Sequence, residues 1–249
     1  MIRYTSDYGV VWAVLNLFGV NMIVWLAALA GLQLLAEEDQ SGEPIRRLDR
    51  AMVAAAVLAS FVPTSTASAA ALTALSLYVL VSTTNGSAQR RGAAIALSIT
   101  AAILWGRVIL AMFSGTFLRL DSILVGMFGL KTNDNEVFFA GNGGALGPTF
   151  GVAPGCSSLH SISMALIFST VVHGWFGIKP SRKSIAVAVL AALVVTLINV
   201  ARLAAIGFFP HRFDDIHGGW IASVIAWATI AVVIAIISIG MKREITCKG

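Results

Sequence analysis

Ser184 to Phe208 reads SIAVAVLAALVVTLINVARLAAIGF, an apolar run interrupted by a single charge, Arg202. As a helix it crosses ~30 Å of hydrocarbon, a distance that takes about 20 residues. Lipid offers no partner to a backbone N–H or C=O, so a spanning run has to pair those groups within itself, and an α-helix does so. Working outward, further apolar runs occur at Val10–Leu35, Ala51–Pro63, Ala67–Thr83, Ala93–Ser114, Ser157–Phe176 and Gly218–Gly240. None shows the period-2 alternation of a membrane barrel strand. The fold class is therefore all-α: a polytopic membrane helix bundle with about seven transmembrane helices, within a range of six to eight. The run Phe117–Leu130 is only about one interfacial helix long and fits either a surface helix or a re-entrant segment.

Composition agrees. The 249 residues are 57% hydrophobic and 12% charged, and the mean hydropathy is +0.85. Soluble domains carry about 25% charged residues. No soluble domain, long linker or tandem repeat stands out, so residues 1–249 read as one integral membrane domain. Within it, 1–116 supplies N-terminal spans and 117–249 holds the residues with chemistry. Ala28-Leu29-Ala30 resembles a small-residue cleavage site, but Val10–Leu35 is longer than a signal-peptide core, so it reads as a retained transmembrane helix.

The net charge of +5 is explained by topology, not by nucleic acid. Arg46, Arg47, Arg50, Arg90, Arg91, Lys179, Arg182, Lys183, Lys242, Arg243 and Lys248 fall in one set of loops. Arg3, Arg119, Lys131 and Arg212 fall in the other. The richer set faces the cytoplasm. Seven alternating spans then put the N-terminus outside, the C-terminus inside, and the 131–156 and 209–217 loops on the outer face of the cytoplasmic membrane.

That assignment brings three residues to one boundary without having used them. Cys156 follows Pro154-Gly155 and opens a helix, whose N-terminus favours a thiolate. Arg202 lies in the outer third of its span, where a cation normally faces the bundle interior or a wet cavity. Asn199, three residues earlier, shares its helix face. His217 opens the last span and is flanked by Asp214 and Asp215, of which Asp215 can support the ring. His160 lies one turn after Cys156 and competes for the role of base, as does His211. Arg107 suits an anionic part of a substrate, a lipid phosphate or a pair with Asp121. The glycine-rich stretch Gly141–Pro148 lacks the Gly-Lys-Ser/Thr of a phosphate loop and reads as a flexible outer cover. No metal-ligand spacing occurs, and no cofactor is implied. Cys247 reads as cytoplasmic and remote. The two cysteines do not make a disulfide framework.

At Cys156-Ser157-Ser158-Leu159-His160-Ser161, Asn199-Val200-Ala201-Arg202 and His217-Gly218-Gly219 the sequence resembles the exosortase/archaeosortase family of membrane transpeptidases. In that family a Cys-Ser-Gly-type motif opens a transmembrane helix, Asn-x-x-Arg follows on the next, and a His opens the one after. Ser158 stands where the family usually has Gly, and His160 where it often has Arg. The resemblance covers about Asp121–Gly240. It implies Cys156, Arg202 and His217 as catalytic residues of a cysteine peptidase or transpeptidase of PEP-CTERM type. The implied partners are secreted proteins ending in a short motif, a transmembrane helix and a basic tail, together with an unidentified acceptor and membrane lipid. The new C-terminus would pass to the acceptor through a thioester.

Two readings from other classes stand beside this one. The first is a transporter of an anionic solute that uses Arg107 and Arg202. Against a cation-coupled carrier, all twelve Asp and Glu lie in loops, tails or near span boundaries. The second is a structural envelope protein without catalysis.

Overall fold

Polar side chains start several of the helices by accepting N–H groups that the first turn cannot pair. The computed structural model describes residues 21–37, 46–62, 64–140 and 148–246. Helix α1 spans Met22–Ala36, and the Asn21 side chain accepts from Ile23 N at 2.9 Å. Helix α2 spans Arg47–Ser60, with Asp49 accepting from Arg46 N at 2.7 Å. Helix α3 spans Ser65–Ser82 and is capped by Thr64. Helix α4, Ala88–Thr100, leads through a π-helical segment, Ala101–Trp105, into α5, Gly106–Gly126. Three short strands follow: β1 Thr132–Asn133, β2 Glu136–Phe138 and β3 Thr149–Gly151. A 3-10 turn, Pro154–Cys156, precedes α6, Ser158–Trp175. Helix α7, Arg182–Phe208, begins with a reciprocal Ser181–Ser184 capping box. A 3-10 turn at Pro210–Arg212, the short α8 Phe213–His217 and α9 Trp220–Thr246 complete the order.

The protein is an all-α membrane helical protein that carries one small sheet. Among the described residues, three helical runs are long and apolar enough to cross a membrane: Ala88–Gly126, Arg182–Phe208 and Trp220–Lys242. Met22–Ala36 and Thr66–Ser82 are shorter apolar helices. The expected spans thus reappear as helices, with several differences. Residues 10–20 of the first, Pro63, the loop 141–147 and Cys247 lie outside the described residues. Ala28-Leu29-Ala30 lies inside α1. Helix α2 has 14 residues, about 21 Å at 1.5 Å per residue, short of the hydrocarbon thickness.

Phe117–Leu130 is not a helix of its own. Residues up to Gly126 continue α5 within a 39-residue helical run. Its apolar pattern is interrupted at Ser114-Gly115-Thr116, which is why the sequence divides it into Ala93–Ser114 and Phe117–Leu130. A break at Phe113, φ −124° and ψ 21°, turns the second half of α5.

The chain forms two compact units: 1–100 with 170–178, and 101–169 with 179–249. In the first, α1 and α4 meet at two glycines. A Cβ on Gly92 would stand 2.8 Å from the Gly31 carbonyl oxygen. Such close backbone approach through small residues is a usual basis of helix association in lipid, where burial of apolar surface drives nothing. In the second, α7 and α9 cross where a Cβ on Gly240 would stand 2.6 Å from Val187. The core of this unit joins Leu118 and Val125 of α5, Leu130, Val137, Phe150 and Val152 of the sheet region, Cys156, Val200, Leu203, Ala204 and Ile206 of α7, and Ile216 of α8. The candidate chemistry is built on that core.

Candidate active site

The sheet delivers Cys156. β1, β2 and β3 pair antiparallel in sequence order, with Val137 opposite Thr132 on one side and Phe150 on the other. Strands of two or three residues are marginal alone. These hold because α5 and α7 back them: Ser122 Oγ of α5 reaches Glu136 O at 3.5 Å, and Ala140 N donates to Gly207 O of α7 at 2.9 Å. Gly207 leaves room there for Leu130, whose Cδ1 would lie 2.5 Å from a Cβ at that position. Beyond β3, Cys156 N donates to Ala153 O at 2.8 Å, closing the 3-10 turn that carries the thiol.

Two buried side chains hold the backbone on either side of that thiol. Asn199 of α7, 7% exposed, donates through Nδ2 to Cys156 O at 2.7 Å and to Ser158 Oγ at 3.2 Å. Asp121 of α5, 4% exposed, accepts from Ser158 N at 3.0 Å. The carboxylate therefore caps α6 from 37 residues away in sequence. Two elements, α5 and α7, meet at Cys156-Ser157-Ser158, and together contribute three hydrogen bonds that apolar surroundings strengthen.

His217 completes the arrangement. Its Nδ1 lies 3.7 Å from Cys156 Sγ, within reach of a sulfur hydrogen bond. The residue ends α8 and does not open the last span, because Gly218 and Gly219 separate it from α9. Gly219 fits that turn because a Cβ would stand 2.8 Å from Asp215 Cα. The imidazole is exposed and is stacked on Phe213, centroids 5.2 Å apart and planes 12° apart. Asp215 pairs instead with Arg212, at 3.3 Å, so an aromatic ring and not a carboxylate steadies the imidazole. A one-turn helix explains this: Phe213 and His217 are four residues apart and share a face, whereas Asp215 points elsewhere.

Arg202 lies one turn beyond Asn199 on the same face of α7. Its Nε is buried and has no hydrogen-bond partner among the described residues. An unpaired buried guanidinium N–H is costly and normally finds an acceptor. His160 is exposed, and no described hydrogen bond joins its ring to Cys156. His211 lies against Phe209, with ring centroids 6.2 Å apart. Arg107 is exposed and does not pair with Asp121. The two stand 14 positions apart on α5, about 21 Å along a helix. Among the described residues no cluster of His, Cys, Asp and Glu could hold a metal ion.

A family model described as transmembrane exosortase matches residues 8–239. The chain belongs to the transmembrane exosortase family. Membership supports a membrane transpeptidase role in general and implies secreted protein substrates that carry sorting signals. Neither a curated protein nor a solved structure matches the chain. Asp121, which sequence reasoning connected with Arg107, and the ring of Phe213 are the members of this exosortase's site that the sequence did not identify. An acidic residue at the boundary of an apolar run was the one signal pointing to Asp121.

Proposed function

We propose that this exosortase is a membrane-embedded cysteine peptidase and transpeptidase. It cleaves the C-terminal sorting signal of secreted proteins at the outer face of the cytoplasmic membrane. The observation that carries the reading is the 3.7 Å approach of Cys156 Sγ and His217 Nδ1, on a backbone held by Asn199 and Asp121. A thiol beside an imidazole is the minimum of an activated nucleophile.

In the proposed mechanism the Cys156 proton passes to His217 Nδ1 and the thiolate attacks the scissile carbonyl. The tetrahedral oxyanion forms beside Arg202, whose unpartnered Nε–H supplies the missing donor. Collapse breaks the C–N bond, and the leaving amine takes the proton from His217. The thioester then passes to an acceptor nucleophile, deprotonated by His217, or to water. The cleaved tail would be the transmembrane helix and basic tail of the signal. Asn199 and Asp121 serve as positioning residues, and neither touches the reacting atoms.

The test is a processing assay in membranes. Secreted proteins from the same genome that end in a short motif, an apolar helix and a basic tail are given a C-terminal tag and co-expressed. Wild type is expected to remove the tag, and Cys156→Ala, present at equal level in the membrane, to leave it in place. Tag loss with both proteins would sink the mechanism. Uptake of an anionic solute that persists with Cys156→Ala would support the carrier reading instead.

A further inference from the structure

We infer that the free edge of β3 is the binding site for the substrate's backbone: an extended peptide stretch, directly outside the substrate's transmembrane helix, adds to the sheet as a fourth strand. The inference rests on the peptidase reading above and names how that site takes its substrate.

The register shows which groups are free. Val152 N donates to Asn135 O at 2.8 Å and Phe139 N to Pro148 O at 3.2 Å. With Val137 opposite Phe150, the hydrogen-bonded pairs of this ladder are 135/152, 137/150 and 139/148, because such pairs alternate along an antiparallel ladder. Thr149 and Gly151 therefore turn N–H and C=O away from β2, and Ala153 turns its N–H the same way. Among the described residues these groups form a row of unpaired donors and acceptors, which is what an added strand pairs with.

The row is open. Gly151 and Ala153 are exposed while Phe150 and Val152 between them are buried. A Cβ on Gly151 would meet nothing within 4 Å. The opposite edge differs, for β1 lies against the end of α5, where a Cβ on Gly126 would touch Thr132 at 3.4 Å.

Position selects the occupant. β3 runs directly into the turn that bears Cys156, five residues after Gly151, so a peptide paired with this edge has its next residues within reach of the thiol. The same strand is also tied to the base. Phe150 of β3 meets Phe213 edge-on at 6.3 Å, and Phe213 stacks on His217. An extended strand also exposes its carbonyls to attack, which a helix does not. A peptide emerging from a membrane helix has to lose its helical bonds before a thiol can reach it, and the edge supplies replacement partners.

The test uses the full-length protein in membranes with a tagged protein of the processing assay as probe. In a Cys156→Ala, Cys247→Ser, Gly151→Cys background, about eight successive probe residues N-terminal of its apolar helix are changed one at a time to Cys and joined with a short bis-thiol linker. Strand side chains alternate faces, so crosslinks are expected at every second position. A crosslink pattern with no period of two, or none with a probe that wild type cleaves, would overturn the inference and leave the peptidase reading intact. Period-two crosslinks with a probe that wild type leaves whole would keep the strand and overturn the chemistry. Neither cleavage nor crosslinks would overturn both.

A second arm needs no crosslinker. Gly151→Pro removes an N–H that the fold does not use, and Gly151→Ala keeps it. The first is expected to slow processing about tenfold, the size of one lost hydrogen bond, with unchanged alkylation of Cys156 by a small reagent. The second is expected to process within about twofold of wild type. Equal processing by the Pro variant, with folding shown by that alkylation, would overturn the inference.

Discussion

The two units handle their fully buried polar side chains differently. In the first, the buried Thr73 hydroxyl returns to Ala69 O at 2.7 Å, four residues back in its own helix. Ser76 returns to Leu72 O and Thr83 to Val79 O. Helices there meet through glycine, as at Gly31 and Gly92. In the second unit the buried side chains of Asp121 and Asn199 reach across to other elements, 37 and 43 residues away in sequence. A side chain that bonds its own helix satisfies itself and specifies nothing about its neighbours. A side chain that crosses fixes where another backbone must lie. The second arrangement suits a site in which one sulfur has to meet one nitrogen.

The sharpest break of this comparison comes from the reacting pair. Cys156→Ala should abolish processing, and His217→Ala should lower it about 10²–10⁴-fold. Both variants should keep the membrane abundance of wild type, because the Asn199 bond goes to the Cys156 backbone carbonyl, which alanine keeps, and the His217 side chain is exposed. Quantitative tag release beside immunoblots of the membrane fraction measures both quantities.

Asn199→Leu is the next largest. It strips the donor from Cys156 O and Ser158 Oγ, an expected loss of about 1–3 kcal/mol. Processing should fall with it, since the Cys156 backbone loses its support. Thermal unfolding in detergent, paired with the processing rate, reads both. A variant that loses stability but cleaves at the full rate would show that the crossing bonds serve only packing.

Gly92→Val tests the other side. The added Cβ meets the Gly31 carbonyl, and overpacking of this kind costs about 1–3 kcal/mol. Stability should fall while the alkylation rate of Cys156 in the folded fraction stays as in wild type. A changed alkylation rate would mean that the two kinds of packing are not separable.

The smallest effect lies at Asp49. The Tyr78 hydroxyl, and then the Arg46 N–H, hold its carboxyl below the ordinary carboxylate range. A depressed folded value contributes stability above the ordinary value, and that contribution is lost as pH falls through the folded one. The difference in melting temperature between wild type and Tyr78→Phe should be constant near neutrality and shrink only below about pH 4. A difference that grows on acidification would reverse the assignment.

Membrane character, helical class and the positions of most helices were legible in residues such as Ser184–Phe208, because apolar length is a local property that survives any arrangement of neighbours. The order of Cys156, Asn199, Arg202 and His217 was legible as well, and so was the resemblance they carry. The continuation of α5 past Ser114 was not, since Ser114-Gly115-Thr116 interrupts the apolar pattern without ending the helix. The sheet escaped notice because strands of two or three residues have no readable period and exist only through their partners. That Asp215 turns to Arg212 and that Phe213 steadies His217 follow from the one-turn helix α8, which the sequence did not reveal. That Asp121 caps α6 was decided by tertiary structure alone, because sequence spacing leaves many acceptors equally available and distance in the folded chain makes the choice.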